Sequence, residues 1–86
     1  MGEWGDVVFV TGNQAMLVVR SAEGFTVVEL LGDEGSVQVG DKAFGNWSAS
    51  GGESLIVRKN RLDGYFQATH GDFGNAVATA RRLGGE

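Results

Sequence analysis

His70 is the only histidine of the sequence, and it lies in the segment THGD, two residues before Asp72. An aspartate can orient an imidazole that acts as a general base, so a His70–Asp72 dyad is one hypothesis. Catalysis would still need a nucleophile, and Ser48 and Thr69 are candidates only by default. The alternative is that His70 ends a strand and Asp72 caps a helix. We favour this alternative and expect no enzymatic activity.

A metal or nucleotide cofactor is also not expected. A metal site could combine His70 and Asp72 with a loop acid such as Asp33 or Asp41, but no spacing matches a zinc or calcium motif. The chain has no cysteine to supply a thiolate ligand. Among its fifteen glycines, the segments GDKAFG, GDEGSVQVG and GDFGNA match neither the P-loop nor the dinucleotide-binding pattern.

The sharpest candidate for a binding site is a basic cluster in the segment RKNR, with aromatic residues nearby. Small barrels that bind single-stranded nucleic acids combine a basic groove with stacking rings. The candidate ligand-binding residues are therefore Trp47, Arg58, Lys59, Arg61 and Tyr65. The alternative is that the three basic residues lie in a hairpin turn and are charged because the turn is solvated.

The charge distribution weighs against nucleic acid. The formal net charge is −4. Residues 1–41 carry seven acids and one base, whereas residues 42–86 carry four acids and six bases. Because nucleic-acid affinity rests on neutralising phosphates with lysine and arginine, only a local patch in the second half could supply it.

Glycines separate short runs rich in valine, leucine and phenylalanine, a pattern typical of strands and tight turns. The predicted strands are 6–11, 15–20, 25–31, 42–47, 53–59 and 65–70, with a brief extended segment at 36–39. A loop is predicted at 48–52 and a turn at 60–64. The pattern then changes: apolar residues recur at helical spacing and predict one α-helix near 73–83.

The signals at both ends of this helix agree with its predicted bounds. Asp72 is the expected N-cap, Arg81 and Arg82 suit the last turn, and Gly84 is a natural stop. The apolar stripe that contains Val77 could bind a partner chain. Docking onto the protein's own sheet is favoured, because a domain this small needs every apolar contact.

Together these elements predict a mainly β fold over one domain, residues 1–86. We expect a small antiparallel barrel, closed or partly open, of five to six short strands and one C-terminal helix. The segment VQVGDKAFG resembles the opening of a strand in OB-like and SH3-like barrels, at the level of fold only.

Two aromatic residues, Phe44 and Trp47, decide whether the segment VGDKAFGNWSASGGE could bind a ligand. In a regular strand they point to opposite faces, because they are an odd number of residues apart. A bulge at Gly45 would turn both rings to the same side. We expect the regular strand, with Phe44 in the core and Trp47 partly exposed.

The sequence therefore predicts a non-enzymatic binding or protein-interaction module. Its partner would be another protein or a second copy, bound through a strand edge or an aromatic patch. The alternative is a single-stranded nucleic-acid-binding barrel. No apolar run approaches the ~20 residues of a membrane helix, and the start lacks a signal-peptide pattern. These features and the absence of cysteine favour a cytoplasmic location for the protein.

Overall fold

The computed structural model describes residues 2–32 and 35–85. Within them, six strands close into an antiparallel barrel in the order β1-β2-β3-β6-β5-β4, with β4 pairing back onto β1. In chain order the elements are β1 (Glu3–Val10), β2 (Met16–Ser21), β3 (Gly24–Leu30), β4 (Lys42–Gly45), β5 (Gly51–Val57), β6 (Asn60–His70) and α1 (Phe73–Leu83). The predicted small antiparallel barrel with a C-terminal helix is confirmed.

The interior of the barrel is one apolar cluster built by the alternation of the strands. Its buried members are Val7, Leu17, Val19, Val28, Leu30, Val37, Ala43, Trp47, Leu55, Val57, Leu62 and Phe66. The largest is Trp47, whose ring stacks on that of Phe66 with 5.5 Å between the ring centroids. Because inward and outward residues alternate, the neighbours of these core residues point to the outer surface.

Helix α1 has the bounds that the sequence predicts. Asp72 is its N-cap, and Oδ1 of Asp72 accepts hydrogen bonds from the backbone N–H groups of Gly74 and Asn75. The buried Ala76 and Ala80 pack on a second cluster outside the barrel, formed by Met16, Val18 and Val27. The helix thus lies against β2, β3 and part of β6. Its Arg81 also lies over the ring of Phe9 near the end of β1, 5.3 Å from the ring centroid. Among the described residues, the main contacts of the helix do not include the first half of β1, β4 or β5.

The expected roles of Phe44 and Trp47 are reversed. Strand β4 is regular and ends at Gly45, and the two rings do point to opposite sides, but Trp47 is only 1% exposed while Phe44 is half-buried on the outer surface. The prediction of a core Phe44 and a partly exposed Trp47 is therefore wrong. The interior accommodates the indole because glycines on β1 and β4 leave room. An added Cβ would lie 3.3 Å from Trp47 Nε1 on Gly5 and 3.1 Å from the Trp47 ring on Gly45.

The hairpin between β5 and β6 also differs from the prediction. The chain turns at Arg58 and Lys59, which have positive φ angles of 49° and 70°, and residues 60–64 belong to β6. Two positive φ angles match a two-residue turn whose twist suits the flanking strands, although asparagine and glycine are the usual residues there. Gly64, taken from the sequence as a turn glycine, instead faces the core, where an added Cβ would lie 2.8 Å from Cγ1 of Val28.

Smaller differences concern the strand ends. Strand β1 begins at Glu3, three residues earlier than expected, and β5 begins at Gly51, inside the predicted loop. The predicted extended segment 36–39 is not a strand; Asp41 folds back there and accepts a hydrogen bond from the N–H of Gln38 at 2.9 Å. Asp33, one of the loop acids considered as a metal ligand, lies outside the described residues.

Candidate binding face

A row of side chains crosses the part of the barrel that α1 leaves uncovered. The strand register places Trp4 opposite Phe44, Phe44 opposite Ile56, and Ile56 opposite Arg61. All four point outward, because each alternates with buried residues along its strand. These buried neighbours are Gly5, Ala43, Gly45, Leu55, Val57 and Leu62. We call Trp4, Phe44, Ile56 and Arg61 the aromatic face.

The aromatic face exposes large apolar groups. Trp4 is 62% exposed and Ile56 is 40% exposed. The rings of Trp4 and Phe44 meet edge to face with their centroids 5.3 Å apart, a geometry that fixes both rings on the surface. A contiguous patch of this kind marks an interaction surface more often than single exposed apolar residues do.

A groove of about 400 Å³ opens beside this row, where β4 ends and β5 continues. It is lined by Gly2, Phe44, Gly45, Asn46, Glu53, Ser54, Ile56 and Arg61. Its volume falls in the range of ~300–1,000 Å³ that is usual for ligand pockets. Gly2 borders the groove without a side chain, and an added Cβ there would collide with the Phe44 ring.

Arg61 is held at the rim of the groove, and within residues 2–32 and 35–85 only its Nε has a hydrogen-bond partner. Its Nε donates to Oγ of Ser54 at 3.1 Å. No ion pair joins it to Glu53, which lines the same groove, within the described residues. The guanidinium group and the Glu53 carboxylate are thus both available to groups outside the chain.

Charges are segregated on the two sides of the aromatic face. Lys42 lies two residues from Phe44 on β4, and the Arg58–Lys59 turn lies at the same end of the barrel. On the other side lie Glu53 and Asp63, which line a second, neighbouring groove of about 440 Å³. The face therefore has a basic side, an apolar centre and an acidic side.

One ion-pair cluster belongs to the basic side. The register places Asp6 between Arg20 and Lys42, and its carboxylate is hydrogen-bonded to both cations, with Arg20 Nη2 at 3.1 Å. The hydrogen bond from Lys42, and then that from Arg20, lowers the pKa of Asp6 from its ordinary value of 3.8. The carboxylate is solvent-exposed, so salt will weaken this effect.

The Asp6 cluster makes a pH-dependent prediction. Because its folded-state pKa is depressed, Asp6 stabilises the fold fully at pH values well above 3.8, and this contribution is lost as the pH falls below 3.8 through the folded-state pKa. We expect Lys42→Met to raise the pKa of Asp6 more than Arg20→Met does. An NMR titration of the Asp6 carboxyl carbon measures this directly. Equal effects, or no upward change in either variant, would contradict the prediction.

The structure separates the basic residues that the sequence grouped. Arg58 forms an ion pair with Asp41 and donates to the carbonyl oxygen of Ser36, so it fastens the turn to the segment before β4. Lys59 is exposed at the turn. Arg61 alone reaches the groove.

The two predicted aromatic candidates are also separated. Tyr65 is 45% exposed on β6, but Asp63 lies between it and Arg61 on the same outward side of the strand. Trp47 is in the core, where its Nε1 donates to the carbonyl oxygen of Glu3 at 2.9 Å. A buried, stacked indole offers no free surface to a ligand. Trp47, Arg58, Lys59, Arg61 and Tyr65 therefore do not form one patch.

The candidate His70–Asp72 dyad is not assembled. Both carboxylate oxygens of Asp72 contact the start of α1, through the amides of Gly74 and Asn75 and through the Asn75 side chain. His70 is paired with Phe25 at the end of β6, and its buried Nε2 has no hydrogen-bond partner within residues 2–32 and 35–85. Across those residues, no group of three potential metal ligands occurs.

Sequence reasoning missed Trp4 as a functional residue. The signal was present: in EWGDVVFV, Trp4 and Asp6 share one side of an alternating strand. The predicted start of β1 at residue 6 left Trp4 outside the sheet. With Trp4 in β1, its position opposite Phe44 follows only from the closure of β1 onto β4.

None of the three comparisons, with protein-family models, with curated proteins and with solved structures, found a significant match for this chain. No helix of the described residues is long and apolar enough to cross a membrane.

Proposed function

We propose that this chain is a non-enzymatic protein-interaction module whose binding surface is the aromatic face. The observation that carries the proposal is the row Trp4–Phe44–Ile56–Arg61, with 62% of Trp4 exposed and a groove of about 400 Å³ beside it. Tryptophan and arginine are among the residues that most often dominate protein-binding energy.

Two further features support this surface over other modes of binding. The six strands close on themselves, so strand addition at a free sheet edge is disfavoured. The helix uses its small buried residues, Ala76 and Ala80, against its own sheet. The cytoplasmic location expected from the cysteine-free sequence remains part of the proposal.

A selection experiment tests the proposed face. Random peptides displayed on phage are selected against the immobilised chain at low surface density. Their affinities are then compared between the wild type, Trp4→Ser and Ile56→Ser. We expect losses of about tenfold or more in both variants, since central interface side chains contribute on this scale. Leu83→Ser is the matched control, because Leu83 is 48% exposed at the far end of α1. Peptides that bind all variants equally, or no peptides at all, would overturn the proposal.

A second candidate is the binding of single-stranded nucleic acid. The specific observation in its favour is that the exposed Trp4 ring and the half-buried Phe44 ring lie near the cations Lys42 and Arg61. Proteins that bind single strands use this combination to stack bases and neutralise phosphates. Against it, Asp6 engages Lys42, and Glu53 and Asp63 flank Arg61. An NMR titration with oligo-dT in low salt tests this candidate. Nucleic-acid binding requires changes in the amide chemical shifts of Trp4 and Phe44, and these changes should disappear steeply as salt is added.

A further inference from the structure

The groove beside the aromatic face contains two opposite charges that the protein itself leaves unpaired. Arg61 and Glu53 both line this groove, and across residues 2–32 and 35–85 neither side chain forms an ion pair. Asp63 lines the neighbouring groove and not this one. A molecule that enters the groove therefore meets one cation and one anion.

Glu53 reaches this groove from the other side of β5. It lies an odd number of residues from Ile56, so it shares the side of the core residue Leu55. The ladder between β4 and β5 stops at the pair of Gly45 and Leu55, two residues short of Glu53. Glu53 is exposed there, and residues from both sides of β5 can therefore line one groove.

The guanidinium group of Arg61 is positioned to bind a carboxylate. Its Nε donates to Oγ of Ser54 at 3.1 Å, which holds the head group beside the residue next to Glu53. Two parallel N–H donors of an arginine match the two oxygens of a carboxylate, and both Nη atoms of Arg61 remain for this purpose. Asn46 offers a further donor: its Oδ1 accepts from Oγ of Ser48 at 3.0 Å, which leaves its Nδ2 to donate.

The remaining wall of the groove is apolar. Phe44 and Ile56 lie opposite each other in the strand register, and Ile56 is 40% exposed. Gly2 and Gly45 line the groove without side chains, so the space beside the Phe44 ring stays open. An apolar group of a ligand would cover this surface and remove it from water. The volume of about 400 Å³ is near the lower end of the ~300–1,000 Å³ of ligand pockets, which suits a small molecule.

These three kinds of group select the chemistry of the ligand. An internal peptide segment carries neither charge on its backbone, and a simple carboxylic acid or amine carries only one. A free α-amino acid has a carboxylate, an ammonium group and a side chain on one carbon atom. We infer that this groove binds a free apolar α-amino acid, with its carboxylate on Arg61, its ammonium group on Glu53 and its side chain against Phe44 and Ile56. This site goes beyond the proposed function and does not depend on it.

An NMR titration with L-leucine and three analogues tests this inference. The groove is open to solvent, so we expect a dissociation constant of about 1 mM, with saturable changes in the amide chemical shifts of Phe44, Ser54 and Ile56. N-acetyl-leucine lacks the ammonium group, leucinamide lacks the carboxylate, and glycine lacks the apolar side chain. Each analogue is expected to bind about tenfold more weakly, because a hydrogen bond to a charged group and the burial of an apolar side chain both contribute on this scale.

Variants that remove one charge assign each contact. Arg61→Gln and Glu53→Gln are each expected to weaken the binding of L-leucine about tenfold or more. Arg61→Gln should leave the weaker binding of leucinamide unchanged, because leucinamide has no carboxylate to lose a partner. The matched controls are Arg82→Gln and Glu23→Gln, which remove exposed charges on α1 and in the turn between β2 and β3. Both controls should bind L-leucine like the wild type.

The outcomes also separate this site from the proposed function. The absence of saturable shift changes at about 20 mM L-leucine, well above the expected dissociation constant, overturns the site. Equal binding of L-leucine and either N-acetyl-leucine or leucinamide overturns the pairing with two opposite charges. If face-specific peptides are selected and L-leucine does not bind, the proposed function stands and this inference fails. If L-leucine binds and no such peptides are found, the reverse holds.

Discussion

Replacing Trp47 by alanine is expected to lower the free energy of unfolding by about 3–5 kcal/mol, the range for removing a large aromatic ring from a core. Trp47 is the largest fully buried side chain, and it stacks on Phe66 with only 7° between the ring planes. Its Nε1 hydrogen bond to the carbonyl oxygen of Glu3 also fastens the start of β1. Domains are stable by about 5–15 kcal/mol, and one of 86 residues belongs toward the lower end of this range, so the variant would keep little of its stability.

The backbone of Trp47 adds to its structural role. Its carbonyl oxygen accepts hydrogen bonds from the hydroxyl groups of Thr26 at 2.9 Å and Thr69 at 2.8 Å. The loop after β4 is thereby attached to β3 and β6, on the far side of the barrel. The ring and the carbonyl together fix this loop, which explains why Trp47 is a core residue although it lies beyond the end of its strand.

Urea denaturation followed by far-UV CD measures the expected loss. The matched control is Trp4→Ala, which removes the other tryptophan at a position that is 62% exposed and should cost about 1 kcal/mol or less. A second readout works even if Trp47→Ala does not fold: the fluorescence of Trp4→Phe should be blue-shifted, because only the buried Trp47 remains. A loss below about 1 kcal/mol for Trp47→Ala would contradict the assigned core position.

Gly5→Ala is expected to destabilise the barrel by about 2–3 kcal/mol, at the upper end of the range for overpacking a core. A Cβ on Gly5 would lie 2.6 Å from Cγ1 of Val19 and 2.8 Å from the carbonyl oxygen of Arg20. The carbonyl belongs to the paired strand β2 and cannot move without disturbing the ladder. Trp47 Nε1 would be 3.3 Å away, so the same methyl group also crowds the indole.

Gly52→Ala is the matched control for Gly5→Ala. Gly52 also lies in a strand, but it is exposed, and an added Cβ there meets no atom within 4 Å. Because alanine loses less backbone entropy on folding, this control should be neutral or stabilising by up to about 1 kcal/mol. The stabilities of the two variants are compared through their midpoints of urea denaturation. Equal stability of the two variants would show that Gly5 is not in a crowded position.

The proposed binding site therefore lies on the outer surface of the barrel and not in the segment around Trp47. Trp47 stabilises the barrel, and the apolar groups on the uncovered side are the exposed Trp4 and Ile56 and the half-buried Phe44. Of the five candidate binding residues, Arg61 alone remains part of the proposed site. The site thus depends on which strands become neighbours when the barrel closes.

Local signals determined several features from the sequence alone. The apolar spacing and the Asp72 cap gave the helix its bounds, because helices are held by contacts within one short segment. Glycine spacing and the short apolar runs gave a small antiparallel barrel. The opposite orientation of Phe44 and Trp47 also followed from strand geometry alone.

Only the tertiary structure decided which of the two rings lies inside. The alternation of side chains along a strand assigns each residue to one of two faces. It does not determine which face the other strands will cover to form the core. Trp47 is inside because Gly5 and Gly45 leave space for the indole, and those glycines come from strands that meet only when β1 pairs with β4. The same pairing places Trp4 against Phe44 on the outside and so creates the aromatic face. Contacts between residues about forty positions apart in the sequence leave no local pattern, and the site of this protein is built from such contacts.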